Sequence, residues 1–350
     1  MYKRLSNLLI PVIAVLLGLI AGAIVMWVSG YDPIAGYGAL WDGIFYDSYA
    51  IGETIRQVSP YILAGLAVAF AFRTGLFNIG VEGQFLMGWL GAVWIGTLFT
   101  DLPKIIHLPL AVIVAALAGA LWAFIPGLLK AKFRVHEVIT TIMMNYISLH
   151  VVNYIISYVL TDNMDKTEKI APSASLRSDF LAEMTINSRL HWGFAVAILG
   201  AIIMWFLLEK TTRGYELKAV GFNQHASKYA GISVDRNIVY AMLISGAFAG
   251  LAGAMEGLGT FEYIGVKGAH TGVGFDGIAV ALLGANTAIG VVLAALLFGG
   301  LKYGSLNMPM ETGIPTEIID VVIALIIFFV ASSYVIRLML RKFSKKKGVE

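Results

Sequence analysis

Cysteine is absent from all 350 residues. That excludes disulfides, thiolate metal sites and cysteine nucleophiles, and leaves the redox compartment open. Charge is almost as scarce: Asp, Glu, Lys and Arg make up 13% of the chain against 58% apolar residues, and mean hydropathy is +0.80. A soluble domain carries about a quarter charged residues because its surface must be wetted, so most of this surface faces something other than water. The net charge of +3 is too small to point to nucleic acid.

Catalytic patterns are missing as well. His136-Glu137 opens an H-E-x-x-H sequence, but Thr140 stands where the second imidazole belongs. His107, His136, His150, His191, His225 and His270 form no helical i, i+4 pair. There is no G-x-S-x-G elbow and no G-x-x-x-x-G-K-[ST], so the chain cannot cradle nucleotide phosphates in a P-loop of its own. The expectation is a protein with no catalytic residues, no metal site and no cofactor held by this chain.

What the sequence does contain is a series of long apolar runs. Leu8–Val28 is uncharged and, as a helix, about 31 Å long, enough for a bilayer core. Lys3 and Arg4 precede it and Ala21-Gly22-Ala23 has a small-residue cleavage pattern. The run continues past that point, however, and exceeds the roughly 7–15 residues of a signal h-region, so it reads as an uncleaved first helix. Further runs lie near Ile55–Phe72, Leu76–Phe99, Ile106–Leu129, Val138–Leu160, Trp192–Leu208, Ile238–Thr260, Asp276–Leu301 and Glu317–Leu338.

Charge sets their direction. Ser29–Thr54 holds Asp32, Asp42, Asp47 and Glu53 with no Lys or Arg and reads as outside. Lys130, Lys132 and Arg134, then Lys210, Arg213, Lys218, Lys228 and Arg236, read as inside, with Thr161–Leu190 outside between them. Nine single crossings would leave the basic tail, from Arg337 through Arg341 and Lys342 to Lys347, on the outside. The turn-like Gly284-Ala285-Asn286-Thr287 resolves this by splitting Asp276–Leu301. Ten crossings then put both termini and most basic residues on the cytoplasmic side. The fold class is all-α, a polytopic helix bundle formed by a single domain over 1–350. Its extracellular loop is 161–190 and its large cytoplasmic loop 209–236.

An internal echo supports paired, interrupted segments: Leu66–Phe70 precedes Arg73-Thr74-Gly75 and Gly80-Val81, as Ile278–Leu282 precedes Asn286-Thr287 and Gly290-Val291. Such pairs point to a substrate pathway in transporter folds. The 3–4 spacing of Gly246, Gly250, Gly253 and Gly257 lets another helix approach closely.

Two stretches carry unusual chemistry. Gly75–Gln84 places Asn78, Glu82 and Gln84 at the start of an apolar helix, with Asn78 and Glu82 four apart and so on one face. A carboxylate there must be paired or face water. In Thr211–Ile232, Asn223 reads as an N-cap, Gln224–Ala230 as a short helix and Gly231 as its left-handed stop. A short capped helix between two spans suits docking into a partner's groove.

These stretches resemble the permease family shared by importers of branched-chain amino acids, simple sugars and nucleosides. The F-N-I-G-x-E-G-Q run covers Phe77–Gln84. A second pattern matches Gly214, Ala219, Gly221, Asn223, Ala226, Gly231 and Ile232, and the likeness extends from about residue 55 to 335. The E-A-A sequence common in the coupling loop of related importers is missing, Ala226-Ser227 standing where many relatives have two alanines. The stretch His136–Ile147 is most similar to nucleoside-type permeases, with bacterial guanosine-type permeases the nearest likeness. The resemblance implies a type II-like importer of the bacterial cell membrane, with Gly214–Ile232 as the coupling segment. It also implies a separate ATPase that binds ATP and Mg, a second related permease, and a substrate-binding lipoprotein outside the cell. Asn78, Glu82, Gln84, Asn145 and Tyr146 are the candidate translocation-path residues, the last two offering an amide and a ring to a heteroaromatic cargo. The alternatives are amino acid or sugar cargo in the same family, or an ion-coupled transporter using Glu256 and Asp320.

Overall fold

The computed structural model describes residues 2–332, so the basic tail that carries the orientation argument lies outside the described residues. The helices are α1 (Tyr2–Val28), α2 (Pro33–Phe45), α3 (Ser48–Arg73), α4 (Val81–Leu98), α5 (Lys104–Phe133), α6 (Glu137–Ile155), α7 (Asp179–Met184) and α8 (Gly193–Lys210). They continue with α9 (Thr212–Phe222), α10 (Gln224–Tyr229), α11 (Val234–Met255), α12 (Val273–Leu283), α13 (Ala288–Gly304), α14 (Met308–Thr312) and α15 (Glu317–Ala331). π-Helical turns at Ile156–Leu160 and Glu256–Thr260 extend α6 and α11. No strand forms among the described residues, only isolated bridges joining Lys166 to Gly265 and Arg177 to His191. Among the described residues, six helical segments, 48–73, 104–133, 137–160, 193–210, 234–260 and 288–312, are long and apolar enough to cross a membrane. The protein is an all-α polytopic membrane protein.

The chain forms two compact units, one of residues 1–54 with 297–350 and the other of 55–296. In the first, α1 lies along α15: a methyl at Gly18 would meet the backbone of Ile326, and one at Gly22 the side chain of Val322. The Tyr37 hydroxyl on α2 donates to Leu19 O at 2.6 Å. Asp32 caps α2 by accepting from Ile34 N, with Pro33 opening the helix. Asp320 on α15 pairs with Lys302 at 2.7 Å.

In the second unit, α11 packs against α5 and α4 through the predicted glycine stripe. A methyl on Gly246 would collide with Ala123 and Gly119, one on Gly250 with Ala115 O, and one on Gly253 with Phe85 O. Gly88 of α4 and Gly119 of α5 meet Gly250 from the other side. In lipid, no hydrophobic force separates Leu from its surroundings, so small residues that let backbones approach define the helix interfaces. The large side chains of α5 accordingly point outward: Ile113, Leu117, Leu121 and Ile125 are exposed while Ala111, Ala115 and Ala123 are fully buried.

Two boundaries deserve comparison with the sequence. The run Asp276–Leu301 is broken between Leu283 and Ala288, where Ala285 and Asn286 take positive φ. The run Leu76–Phe99 is not helical from its start, because α4 begins only at Val81. Asn78 therefore precedes the helix, and the shared face expected for Asn78 and Glu82 does not exist.

The packing predicts that Gly250→Leu, forced into the Ala115 carbonyl, destabilises the protein by about 1–3 kcal/mol or more. Leu117→Ala, on the exposed face of α5, should leave thermal unfolding in detergent nearly unchanged.

Candidate functional site

The site begins where α3 stops. Gly75 adopts φ +77°, Leu76 N donates to Ala71 O at 2.9 Å and Gly75 N to Phe72 O at 3.1 Å. This is a Schellman stop, which needs a residue free to enter the left-handed region. Phe72 and Phe77 stack across it, ring centroids 4.9 Å apart.

The chain then runs without helix to Gly80, and its polar groups need partners away from water. Asn78 Nδ2 donates to Gln84 Oε1 and to Ser245 Oγ, both at 2.8 Å. Its Oδ1 accepts from Gly80 N at 3.0 Å and from Gln84 Nε2 at 3.1 Å. Ser245 Oγ in turn donates to Ala67 O at 2.7 Å. From α6, Asn145 Nδ2 donates to Ile79 O at 3.0 Å while its Oδ1 accepts from Gly83 N at 2.8 Å. Asn78, Gln84 and Asn145 are all fully buried or within 1% of it. Their amides are spent on holding the interrupted backbone.

Glu82 is the centre of this layer. Its side chain is fully buried, yet the carboxylate accepts four hydrogen bonds. Thr271 N and Oγ1 donate to Oε1 at 2.6 and 2.7 Å, Gly272 N to Oε1 at 3.1 Å, and Gly274 N to Oε2 at 2.7 Å. Those donors are the N-terminal turn of α12, entered through Gly272 at φ +87°. Glu82 also lies in the first turn of α4. One carboxylate thus sits at the positive ends of two helices, which stabilises its charge where an ion pair would otherwise be required. A methyl on Gly274 would collide with the Glu82 backbone, so only glycine lets the helix end approach. Thr271, Gly272 and Gly274 escaped the sequence reading; the one signal was their glycine spacing ahead of an apolar run.

Lys267 lies on the non-helical stretch before α12. Its Nζ stands 4.2 Å above the Trp89 ring, and its backbone exchanges two hydrogen bonds with the Asn153 amide at 2.8 and 3.0 Å. Trp89 stacks on Phe261 at 5.4 Å and donates Nε1–H to Tyr263 O. Tyr146 stands apart from the buried layer: it is 55% exposed, its ring edge-on to His270 at 5.2 Å.

The segment α9–α10 reaches the same break from the other direction. Thr211 caps α9 through Gly214 N at 3.0 Å, and a methyl on Gly214 would collide with Leu207 O. Asn223 caps α10 by accepting from Ala226 N at 3.0 Å. Gly231 ends it at φ +80°, with Ile232 N donating to Ser227 O at 2.9 Å, as the sequence predicted. Ala219 O accepts from Asn223 N at 3.0 Å at the joint of the two helices. Ala226 is exposed, beside Phe222 at 90% and Tyr229 at 95% exposure. Gly221 is pressed onto the α3 stop: a methyl there would come within 2.8 Å of Thr74 C, and one on Gly75 within 2.6 Å of Gly221 Cα. Glu209 clips the contact, accepting from Arg73 at 2.7 Å and from Lys218 at 2.9 Å.

A chain with buried, interrupted helices and an exposed capped helix pair has the parts of a transporter. Residues 50–331 match the family described as the permease component of the branched-chain amino acid transport system. The chain belongs to that family. It is 70% identical to the guanosine ABC transporter permease protein NupP of Bacillus subtilis, covering 99% of each chain. It is 42% identical to the nucleoside ABC transporter permease protein NupB of Lactococcus lactis over 100% of this chain and 98% of that one. Identity to the glucose ABC transporter permease protein TsgB13 of Haloferax volcanii is 32%, over 92% and 87%. No solved structure matches the chain. The protein is a permease, a transport protein rather than an enzyme.

Glu82→Ala leaves three backbone N–H groups and a hydroxyl without their acceptor and should cost about 1–3 kcal/mol or more. The check is the unfolding midpoint in detergent, compared with Glu183→Ala on the exposed face of α7, which should shift it by no more than about 0.5 kcal/mol.

Proposed function

We propose that this chain is the membrane-spanning subunit of an ATP-driven importer that moves nucleosides, guanosine among them, into the cell. The observation that carries the reading is 70% identity, end to end, with a permease named for guanosine. The family also holds a permease named for glucose, but at 32% identity, and sugar or amino acid cargo is the weaker reading. An ion-coupled mechanism is weaker still: Asp320 is held by Lys302.

A second, related permease completes the path. The Bacillus subtilis permeases NupP and NupQ both carry the guanosine name, and this chain is 70% identical to the first and 27% to the second. An ATPase binds ATP and Mg against α9–α10, and a binding lipoprotein delivers cargo outside. Both termini are cytoplasmic. The helix order supports ten crossings, α2 remaining at the outer surface and α12 completing its crossing with the non-helical stretch 261–272.

In this reading α9–α10 transmits movement of the ATPase. The contact of Gly221 with Thr74 and Gly75 links that movement to the interrupted start of α4, and so to the Glu82 layer. Gly221→Glu should reduce uptake at least about tenfold and loosen the ATPase in pull-downs, while the permease still inserts in the membrane. Uptake that persists after ATP depletion in an ion gradient would favour the ion-coupled alternative.

The substrate assignment is tested by competition in cells expressing the whole complex. Labelled guanosine uptake should fall with excess unlabelled nucleosides and not with leucine, ribose or glucose. Competition by leucine or a sugar without competition by nucleosides would overturn the assignment.

A further inference from the structure

Two helices of the second unit each expose a stripe at i, i+4 spacing, and the stripes differ in kind. On α5 it is Ile113, Leu117, Leu121 and Ile125, exposed by 40–65%, which suits acyl chains. On α6 and its π-helical extension it is Tyr146, His150, Tyr154 and Tyr158, all exposed. Tyr146 and His150 lie midway along the spanning segment 137–160, where a hydroxyl or an imidazole is costly against lipid and belongs on a water-filled or ligand-bearing face; Tyr154 and Tyr158 continue the stripe towards its end.

Beside the first of these tyrosines lies a second group of rings. His270 meets Tyr146 edge-on at 5.2 Å and Phe275 edge-on at 5.8 Å. Tyr146 and Phe275 are 55% and 39% exposed. Neither nitrogen of His270 has a hydrogen-bond partner among the described residues. Both are covered, a state that costs free energy and that a polar partner would relieve. The next residue, Thr271, donates to Glu82, so the cluster is anchored to the most rigid part of the site.

We propose that Tyr146, His270 and Phe275 form the nucleobase contact of the translocation path, with the Tyr146–Tyr158 stripe leading to it. The ligand class is a flat heteroaromatic ring with hydrogen-bonding edges: exposed ring faces stack on a base regardless of its identity, and an imidazole both donates and accepts. The proposal rests on the nucleoside reading above and adds the residues that touch the base. Asn145, buried with its amide bonded to the backbone at the helix break, positions Tyr146 from the neighbouring residue and does not itself contact the base.

The test uses the complete transporter in membranes. Photolysis with radiolabelled 8-azidoguanosine should label the peptides containing residues 139–160 or 261–275, and excess guanosine should suppress the label. Tyr146→Leu and Phe275→Leu should each lower uptake at subsaturating guanosine by about tenfold, whereas Tyr146→Phe, which keeps the ring, should stay within about twofold of the parent. His270→Gln, which keeps a donor and an acceptor, should retain more uptake than His270→Leu. If the parent transporter takes up guanosine and all the leucine variants do so equally well, the proposal fails while the nucleoside reading stands. If the parent takes up no nucleoside, that underlying reading fails first. If the leucine variants lose co-purification with the second permease and no label reaches either peptide, the cluster is a contact between permeases and the proposal is overturned.

Discussion

A single carboxylate away from water holds the site together. Glu82 is fully buried and its charge is met by four donors from Thr271, Gly272 and Gly274, backed by the positive ends of α4 and α12. Because the carboxylate belongs to α4 and its donors to Thr271, Gly272 and Gly274, which lead into α12, the two helix starts cannot part without leaving a buried charge uncompensated. Both helices can therefore begin inside the protein, each after a non-helical stretch, without the penalty that unsatisfied backbone normally carries at membrane depth.

The neighbouring amides serve the same constraint. Asn78, Gln84, Asn145 and Ser245 answer the backbone and one another, and all four are buried. This separates two kinds of polar residue that look alike in a membrane sequence: those that repair an interrupted backbone, and those, such as Tyr146, left with an open face. A polar network of the first kind is rigid because removing any member leaves another buried group unpaired.

Rigidity also passes through glycine. Where Gly221 meets Gly75, backbone touches backbone with no side chain between, so a displacement of α9 cannot be absorbed by a rotamer change before it reaches the α3 stop. The Arg73–Glu209–Lys218 bridge adds orientation to this contact more than energy, since its members are partly exposed and surface pairs are screened. Along α11, the glycine stripe brings backbones into the same close contact as the Gly75–Gly221 pair.

The sequence alone determined the features that depend on local chemistry or on composition. Scarce charge and long apolar runs require a membrane bundle. Asn223 and Gly231 delimit α10 because capping and left-handed backbone are properties of a few consecutive residues, and Gly284–Thr287 breaks its run for the same reason. The spacing of Gly246, Gly250, Gly253 and Gly257 announced a close helix contact, though not its partners. Tertiary structure alone decided that Glu82 faces Thr271, Gly272 and Gly274, 189 to 192 residues away, that Asn78 lies before a helix instead of on it, and that Asn145 repairs a backbone while Tyr146 next to it stays exposed. A buried carboxylate in an apolar run only states that compensation exists. Which backbone supplies it depends on how two distant helix ends meet, and no local pattern records that meeting.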